Sequence, residues 1–128
     1  MTSLRMPTCQ KRWKSRAMTE ALVVITTTET KEDAERLAHL LVERELAACV
    51  QLLPQITAIY RWQGRIEQAS ESLLLIKTTR QAYPRLEAAI KENHSYQTPE
   101  IIALPVEAGA DDYLRWLSAS LNTEGTTA

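Results

Sequence analysis

One long hairpin constrains the fold of this chain more than any other stretch of the sequence. Residues 47–62 and 65–78 both have the composition of extended strands, and only Gln63 and Gly64 separate them. We predict a two-residue turn there, because glycine supplies the positive φ that such turns need. Pro54 interrupts the first arm. Since proline donates no ladder hydrogen bond, we expect this arm to lie at a sheet edge or to contain a bulge.

The segments on either side of the hairpin predict an α+β fold. The other predicted elements are strands at residues 21–27 and 100–106, and helices at residues 31–46, at 80–93 and from Asp111 or Asp112 onward. The order β-α-β-β-α-β, followed by a C-terminal helix, matches the ferredoxin-like arrangement of a four-stranded antiparallel sheet with helices on one face. The second and fourth strands are the edges of such a sheet. This layout agrees with Pro54 in one strand and Pro105 in the other.

Three of the predicted strands are apolar on both faces. Their apolar runs are ALVVI at residues 21–25, LLLI at 73–76 and IIAL at 101–104. A sheet with helices on one side only is expected to alternate apolar and polar residues. Exposed apolar patches of this extent are rare on monomers, and the chain has no further helix to cover them. We therefore predict an oligomer in which other copies of the chain cover the open face.

The charged residues are distributed unevenly. Residues 1–19 hold five basic side chains and no acidic one, which leaves ten basic and sixteen acidic side chains in the rest. We predict one folded domain over residues 20–122, a disordered basic leader over 1–19 and a disordered tail over 123–128. The leader lacks the apolar centre of a secretory signal, so residues 1–17 are a different targeting segment, a nucleic-acid arm or a start upstream of the native one.

The charge and hydropathy of the folded part argue against binding to nucleic acid and against a membrane-spanning segment. An acidic domain offers no electrostatic footprint for nucleic acid. No apolar stretch approaches the roughly 20 residues that span a bilayer, so we expect no membrane segment.

The cysteine content predicts a reduced, cytoplasmic setting. Cys9 and Cys49 lie forty residues apart and form neither a disulfide framework nor a paired metal-binding motif. The chain also lacks a nucleophile–base motif, a glycine-rich phosphate loop and a helix with two metal-binding histidines. We therefore do not expect an enzyme.

The tip of the hairpin brings aromatic and charged side chains together. A two-residue turn places Trp62 opposite Arg65 and Tyr60 opposite Glu67, all on one face. These aromatic residues either stabilise a long hairpin by cross-strand packing or pack on a neighbouring subunit. We favour the second interpretation, because a hairpin arm that reaches past its helices is marginal by itself.

Several runs of the sequence resemble the CutA divalent-cation-tolerance proteins. They are AACVQLLPQITAIYRWQGRIE, ESLLLIKT, HSYQTPEIIALPV and DDYLRWLSASL, and the resemblance extends from about Ala21 to Leu121. It implies a ferredoxin-like homotrimer of PII-like architecture, in which long strands pair between subunits. It also implies a link to tolerance of copper and other divalent metals, binding of Cu(II) and no firmly assigned enzymatic activity.

The resemblance implies a copper site that this chain carries only in part. In the enteric bacterial members the proposed ligands are a cysteine and two adjacent histidines, and the matching positions here are Thr26, Asn93 and His94. Imidazole suits copper, but a hydroxyl and a neutral amide do not replace a thiolate and a second imidazole. His94 is therefore the predicted ligand of a weak Cu(II) site. Cys49 is a lesser candidate, because we expect it to be a small buried hydrophobe in the core or a subunit interface.

The remaining candidates are predicted to meet in a polar cleft between subunits, where the hairpin approaches the loop that begins at His94. They are Tyr60, Trp62, Lys77, Tyr96 and Glu100. Glu100 enters an apolar strand, so we expect it to be paired if buried, with Lys77 as its candidate partner. Such a cleft would suit a metal ion or a small anion, whereas the alternative is a purely structural ion pair.

Two functions remain open on this basis. The first is a trimeric protein of copper tolerance or copper binding. The second is a PII-like trimeric sensor or scaffold that binds a small molecule or a protein at its subunit clefts.

Overall fold

A computed structural model describes residues 19–122, and these have the α+β fold that the sequence predicts. The elements in chain order are β1 (Ala21–Thr28), α1 (Lys31–Glu43), β2 (Cys49–Trp62), β3 (Arg65–Thr79), α2 (Tyr83–Asn93), β4 (Ile102–Pro105) and α3 (Asp111–Ala119). The strands form one antiparallel sheet in the order β2-β3-β1-β4, so β2 and β4 are the edges, as predicted. Apart from Thr19, the predicted leader and tail lie outside the described residues.

The hairpin has the register that its turn predicts. Gln63 and Gly64 both have positive φ, at 52° and 80°, which is the pattern of a type I′ turn. Trp62 therefore pairs with Arg65, and the ladder continues from there along both arms.

Pro54 lies in a β-bulge, one of the two places predicted for it. The register of β2 against β3 shifts between Leu53 and Ile56. Gln55, within this shift, has a left-handed φ of 61°. The one extra residue bends the edge strand at the point where proline cannot donate to the ladder.

Helix α1 begins where the sequence predicts and ends three residues early. Thr30 is its N-cap, and the Thr30 Oγ1 accepts a hydrogen bond from the Asp33 N–H at 3.1 Å. The helix ends at Glu43 rather than at residue 46, because Glu45 takes a left-handed φ of 57° and reverses the chain. Leu46 stays in the core although it lies beyond the helix.

Helix α2 begins at Tyr83, three residues later than predicted. The residues before it form a turn in which the Thr79 Oγ1 accepts a hydrogen bond from the Ala82 N–H at 3.3 Å. Pro84 lies in the first helical turn, where its missing N–H costs little.

Two strands are shorter than predicted. Strand β2 begins at Cys49 rather than at residue 47, and β4 covers Ile102–Pro105 rather than residues 100–106. Glu100 is exposed and precedes β4, so the expectation that it enters an apolar strand is wrong. The physical reason is that β4 pairs with β1 alone, and the two strands are paired only from Leu22 to Ile25 of β1.

One face of the sheet is packed under α1 and α2, and it forms the main core together with them. Its fully buried apolar side chains include Val24, Leu41, Leu74, Ile76, Leu86 and Ile90, all at 0% exposure. On the opposite face, which we call the open face, the register aligns Val23, Ile25, Leu53, Leu75, Ile102 and Leu104.

Helix α3 packs at one end of the sheet. Its Leu117 contributes to a second small core with Leu121, Ala21 and Ala82. None of the helices in residues 19–122 is long and apolar enough to cross a membrane.

Candidate functional site

The first residue after α2 is the centre of the candidate site. His94 has extended backbone geometry, with φ of −102° and ψ of 143°, which ends the helix. Its Nε2 lies 2.6 Å from the Thr27 carbonyl oxygen, and the Tyr96 N–H donates to its Nδ1 at 3.0 Å. A neutral imidazole that accepts at Nδ1 carries its proton on Nε2, which then donates to Thr27. Main-chain groups therefore occupy both ring nitrogens.

Tyr96 extends this network to the hairpin. Its ring lies against the ring of His94, with centroids 4.9 Å apart and planes inclined at 45°. Its hydroxyl donates a hydrogen bond to the Glu71 Oε2 at 2.8 Å. Burial raises the pKa of Tyr96 well above its ordinary value, and the hydrogen bond and charge of Glu71, then Glu29 and Tyr60, raise it further. Tyr96 is thus held as a neutral donor to a carboxylate of the hairpin.

A cleft of about 440 Å³ opens beside Glu71. It lies between the start of α1 and the bulge of β2, and its lining includes Glu29, Lys31, Glu32, Pro54, Gln55 and Glu71. Three carboxylates face one lysine here, so the cleft favours cationic groups over anions. The left-handed backbone of Gln55 is uncommon for a residue other than glycine.

A smaller cleft of about 240 Å³ lies next to His94. Asp33, Arg36 and Asn93 are among the residues that line it, and Arg36 forms an ion pair with Asp33. The Asn93 Nδ2 donates to the Ala89 carbonyl oxygen at 2.8 Å, within its own helix. Each of these three side chains therefore already has a partner within the chain.

The three positions of the implied copper site do not form one in this chain. Thr26 is fully buried in β1, and its Oγ1 has no hydrogen-bond partner among residues 19–122. A buried hydroxyl is a poor copper ligand, the Asn93 amide bonds its own helix, and both ring nitrogens of His94 are engaged. Among residues 19–122, no group of three or more His, Cys, Asp and Glu side chains is placed to hold a metal ion. The residues present do not fit the implied set of ligands.

Cys49 lies far from His94. Its thiol is free and half-buried, and the residue is opposite Lys77 on the open face rather than in the core. Thr27, which contacts His94, pairs with Leu73, four residues along β3 from Lys77. That separation is about 13 Å at the usual rise of a strand. The two metal candidates are therefore separate within one chain.

Lys77 and Glu100 do not form the ion pair that the sequence suggested. The Lys77 Nζ donates to the Gln51 Oε1 at 2.8 Å across the strand pair. Through Val23 the register aligns Lys77 with Leu104, four residues beyond Glu100. Glu100 is exposed, so water hydrates its charge, and none of the ion pairs among residues 19–122 includes it.

Tyr60 and Trp62 share one face of the hairpin tip, as predicted. They are 44% and 55% exposed, and their cross-strand partners form an exposed ion pair at 4.0 Å. The loop after α2 meets the hairpin at Glu71 rather than at this tip. Tyr60 is nevertheless close enough to raise the pKa of Tyr96.

Sequence reasoning did not identify Glu71 or the carbonyl oxygen of Thr27 as parts of the site. Glu71 belongs to the polar run EQASES, where its residue type does not distinguish it from the other polar residues. Its position becomes apparent only in the structure, where Ser72 pairs with Thr28 at the end of β1 and the hairpin extends beyond β1 from there. Thr27 contributes a main-chain atom, which no pattern of side chains reveals.

The chain is similar to proteins of one family over almost all of its described residues. The family model of the CutA1 divalent ion tolerance protein matches residues 22–120. The divalent-cation tolerance protein CutA of Thermus thermophilus is 48% identical over 95 residues, which cover 74% of this chain and 92% of that protein. The chloroplastic protein CutA of Arabidopsis thaliana is 41% identical over 78% of this chain and 55% of its own length. The crystal structure of CutA1 from Oryza sativa aligns with a TM-score of 0.81 and 38% identity, over 84% of this chain and 99% of that one.

Proposed function

Because this chain belongs to the CutA1 divalent ion tolerance protein family, we propose that it acts in the tolerance of divalent cations, as a homotrimer and without catalysing a reaction. The observation that carries this proposal is the match over residues 22–120, together with 48% identity to a divalent-cation tolerance protein. The test is the growth of cells that lack their own copy of such a protein, in graded Cu(II), Zn(II) and Mn(II). Expression of the chain is expected to raise at least one growth limit, and unchanged limits for all three ions would contradict the proposal.

The open face supports the trimeric state. Its apolar side chains need a cover that the described helices do not supply, and both edge strands have one side available for pairing with another copy. A PII-like trimer supplies both the cover and the strand partners. Light scattering of the full chain at micromolar concentration is expected to give three times its mass of 14.5 kDa. A monomeric mass would refute this proposal.

Cu(II) is the specific ion that we propose, with His94 as the candidate ligand and Cys49 as a lesser one. One imidazole without a thiolate or second imidazole beside it supports weak binding only. Titration of Cu(II) should therefore show weak binding that is reduced in His94→Ala. His39→Ala is the matched control, because His39 is the other histidine of the chain and is exposed on α1. Equal affinities of the native chain and His94→Ala would remove His94 as the ligand.

A second candidate function is that of a PII-like sensor or scaffold with a binding site where the hairpin meets the loop after α2. The cleft of about 440 Å³ beside Glu71 supports it, because small-molecule sites have volumes of this order. Its acidic lining favours a cationic ligand. Of the candidates from the sequence, Tyr96 bonds to Glu71 of this lining, whereas Tyr60, Trp62, Lys77 and Glu100 lie outside it and stay candidates for a site shared between subunits. A thermal-shift screen of small organic cations and matched anions tests this function, since a ligand of the native state raises the apparent stability.

If the screen finds a ligand, two variants would test whether that ligand binds in the cleft. Glu71→Gln is expected to abolish the shift, because it removes a carboxylate of the cleft. Glu67→Gln is the control, since Glu67 lies on the same face of β3 but nearer the tip. A shift that survives Glu71→Gln would place the ligand elsewhere.

We propose that the protein is located in the cytoplasm. We also propose that residues 20–122 form its single folded domain. The free thiol of Cys49 supports a reducing compartment. The Arabidopsis relative is named chloroplastic, so residues 1–19 are the segment to remove. Fractionation of cells that express the chain with and without this segment should give the same cytoplasmic location, and relocation on removal would contradict it.

A further inference from the structure

His94 and Tyr96 join three segments that are distant in the sequence. The His94 Nε2 donates to the Thr27 carbonyl at the end of β1, and the Tyr96 N–H donates to the His94 Nδ1. The Tyr96 hydroxyl then donates to Glu71, on the part of the hairpin that extends beyond β1. These three hydrogen bonds form one continuous chain from the sheet through the loop to the hairpin.

We propose that residues 94–99 form a latch, closed by these three hydrogen bonds, which positions Glu71 in its cleft and competes with metal ions for the nitrogens of the His94 ring. The latch is a role for His94 that differs from that of a metal ligand. It follows from the bonds within this chain and does not depend on the proposed tolerance of cations.

A metal ion and the closed latch compete for the same two nitrogens of the His94 ring. A metal ion binds an imidazole nitrogen through its lone pair. The lone pair of Nδ1 points to the Tyr96 N–H, and Nε2 carries the proton that it donates to Thr27. An ion that binds either nitrogen must displace one of these partners. Binding of the ion and closure of the latch therefore weaken each other by the same factor.

The third hydrogen bond gives the latch a consequence at the cleft. While the latch is closed, one carboxylate oxygen of Glu71 accepts from Tyr96 and is directed towards the loop. When the latch opens, Glu71 loses this donor and becomes a free carboxylate in the lining of the cleft. His94 and Tyr96 are positioning residues in this scheme, since they act through Glu71.

The test measures hydrogen exchange at the amide of Tyr96 in the full chain, because that amide donates to His94 directly. His94→Ala is expected to speed its exchange by about fivefold or more, the order expected when a typical hydrogen bond is lost. His39→Ala is expected to leave the rate unchanged, because His39 lies exposed on α1. An unchanged rate in His94→Ala would overturn the latch.

A second arm adds Cu(II) alone to the native chain and to His94→Ala. If the ion binds through His94, exchange at Tyr96 must become faster in the native chain as the site fills. Binding that depends on His94 but leaves this exchange unchanged would overturn the proposal. Equal binding to both proteins, with Tyr96 still protected, supports the latch and removes only the proposed role of His94 in copper binding.

Discussion

The two faces of the sheet use alternate residues of the same strands, yet residues 19–122 of one chain cover only one of them. Leu74 and Ile76 are fully buried under the helices, whereas Leu75 between them is only half-buried on the open face. The contrast is larger at β4, where Ile102 and Leu104 are 49% and 48% exposed. Apolar side chains occur on both faces, so the faces differ in what packs on them.

This difference separates two sources of stability. Burial under α1 and α2 stabilises the fold of one chain, because it removes apolar surface from water within that chain. No helix of residues 19–122 covers the open face, and the proposed trimer would supply the same stabilisation there. Substitutions on the packed face should therefore lower the free energy of unfolding, and substitutions on the open face should lower the mass of the assembly.

The largest effect is expected from a cavity on the packed face. Leu74→Ala should lower the free energy of unfolding by about 2–5 kcal/mol, since a fully buried leucine loses its packing and leaves a cavity. Denaturant titration measures this change. Val42→Ala is the control, because Val42 is 43% exposed on α1, and its effect should stay within about 0.5 kcal/mol. A similar loss of unfolding free energy in both variants would show that the packed face does not dominate the stability of the fold.

A charge on the open face should act on assembly. Leu104→Lys is expected to shift the full chain from the proposed trimer towards monomer, because burying an unpaired ammonium group in an interface costs several kcal/mol. Light scattering gives the mass, and Val42→Lys provides a control of similar exposure outside the sheet. An intact trimer in Leu104→Lys would show that other copies do not cover this part of the open face.

A smaller effect is expected within the packed face itself. Thr26 and Thr78 are both 0% exposed, but the Thr78 Oγ1 donates to the Leu46 carbonyl at 2.8 Å, while the Thr26 Oγ1 has no partner in the part of the chain that the structure describes. Thr26→Val should therefore stabilise the fold by about 1 kcal/mol, and Thr78→Val should destabilise it by a similar amount. Thermal unfolding distinguishes the two signs. Destabilisation by both substitutions would show that the Thr26 hydroxyl is satisfied in solution.

The smallest effect concerns the latch at alkaline pH. The pKa of Tyr96 is raised above its ordinary value of 10.0, mainly by burial and then by Glu71. A group with a raised pKa in the folded state contributes its full stabilisation below its unfolded pKa and loses it as the pH rises towards the folded pKa. Tyr96→Phe should thus cost about 1 kcal/mol or less at neutral pH and flatten the decline of stability above about pH 10.

Denaturant midpoints at pH 8 and pH 11 measure this flattening. The pKa of Tyr83 is also raised, by burial and by Glu87, so Tyr83→Phe tests whether the effect belongs to the latch. An equally steep decline in Tyr96→Phe and the native chain would show that Tyr96 does not contribute to it.

Much of the fold could be predicted from the sequence because its causes are local. Glycine at residue 64 sets the turn and hence the pairing of Trp62 with Arg65, and Pro54 marks the bulge of an edge strand. The ends of elements were predicted less well. Helix α1 stops early because Glu45 takes a left-handed conformation that its residue type does not favour.

The candidate site was predictable only in part, for a different reason. The sequence identified His94 and Tyr96, whose residue types can carry chemistry. It did not identify Glu71, which becomes special only because the loop after α2 crosses the hairpin there. It also placed Lys77 near Glu100, although the register of the sheet separates them.

The sequence by itself determined the strand order, the long hairpin and the presence of apolar side chains on both faces. These features follow from turn residues, from alternation and from the spacing of helices, which act over a few residues. Only the tertiary structure decided what His94 does. Its partner Thr27 is 67 residues away in the sequence, and both of its hydrogen bonds are to main-chain atoms that every residue type provides. The residue type of His94 therefore indicates a possible copper ligand, whereas its position in the fold gives it two hydrogen bonds to the main chain.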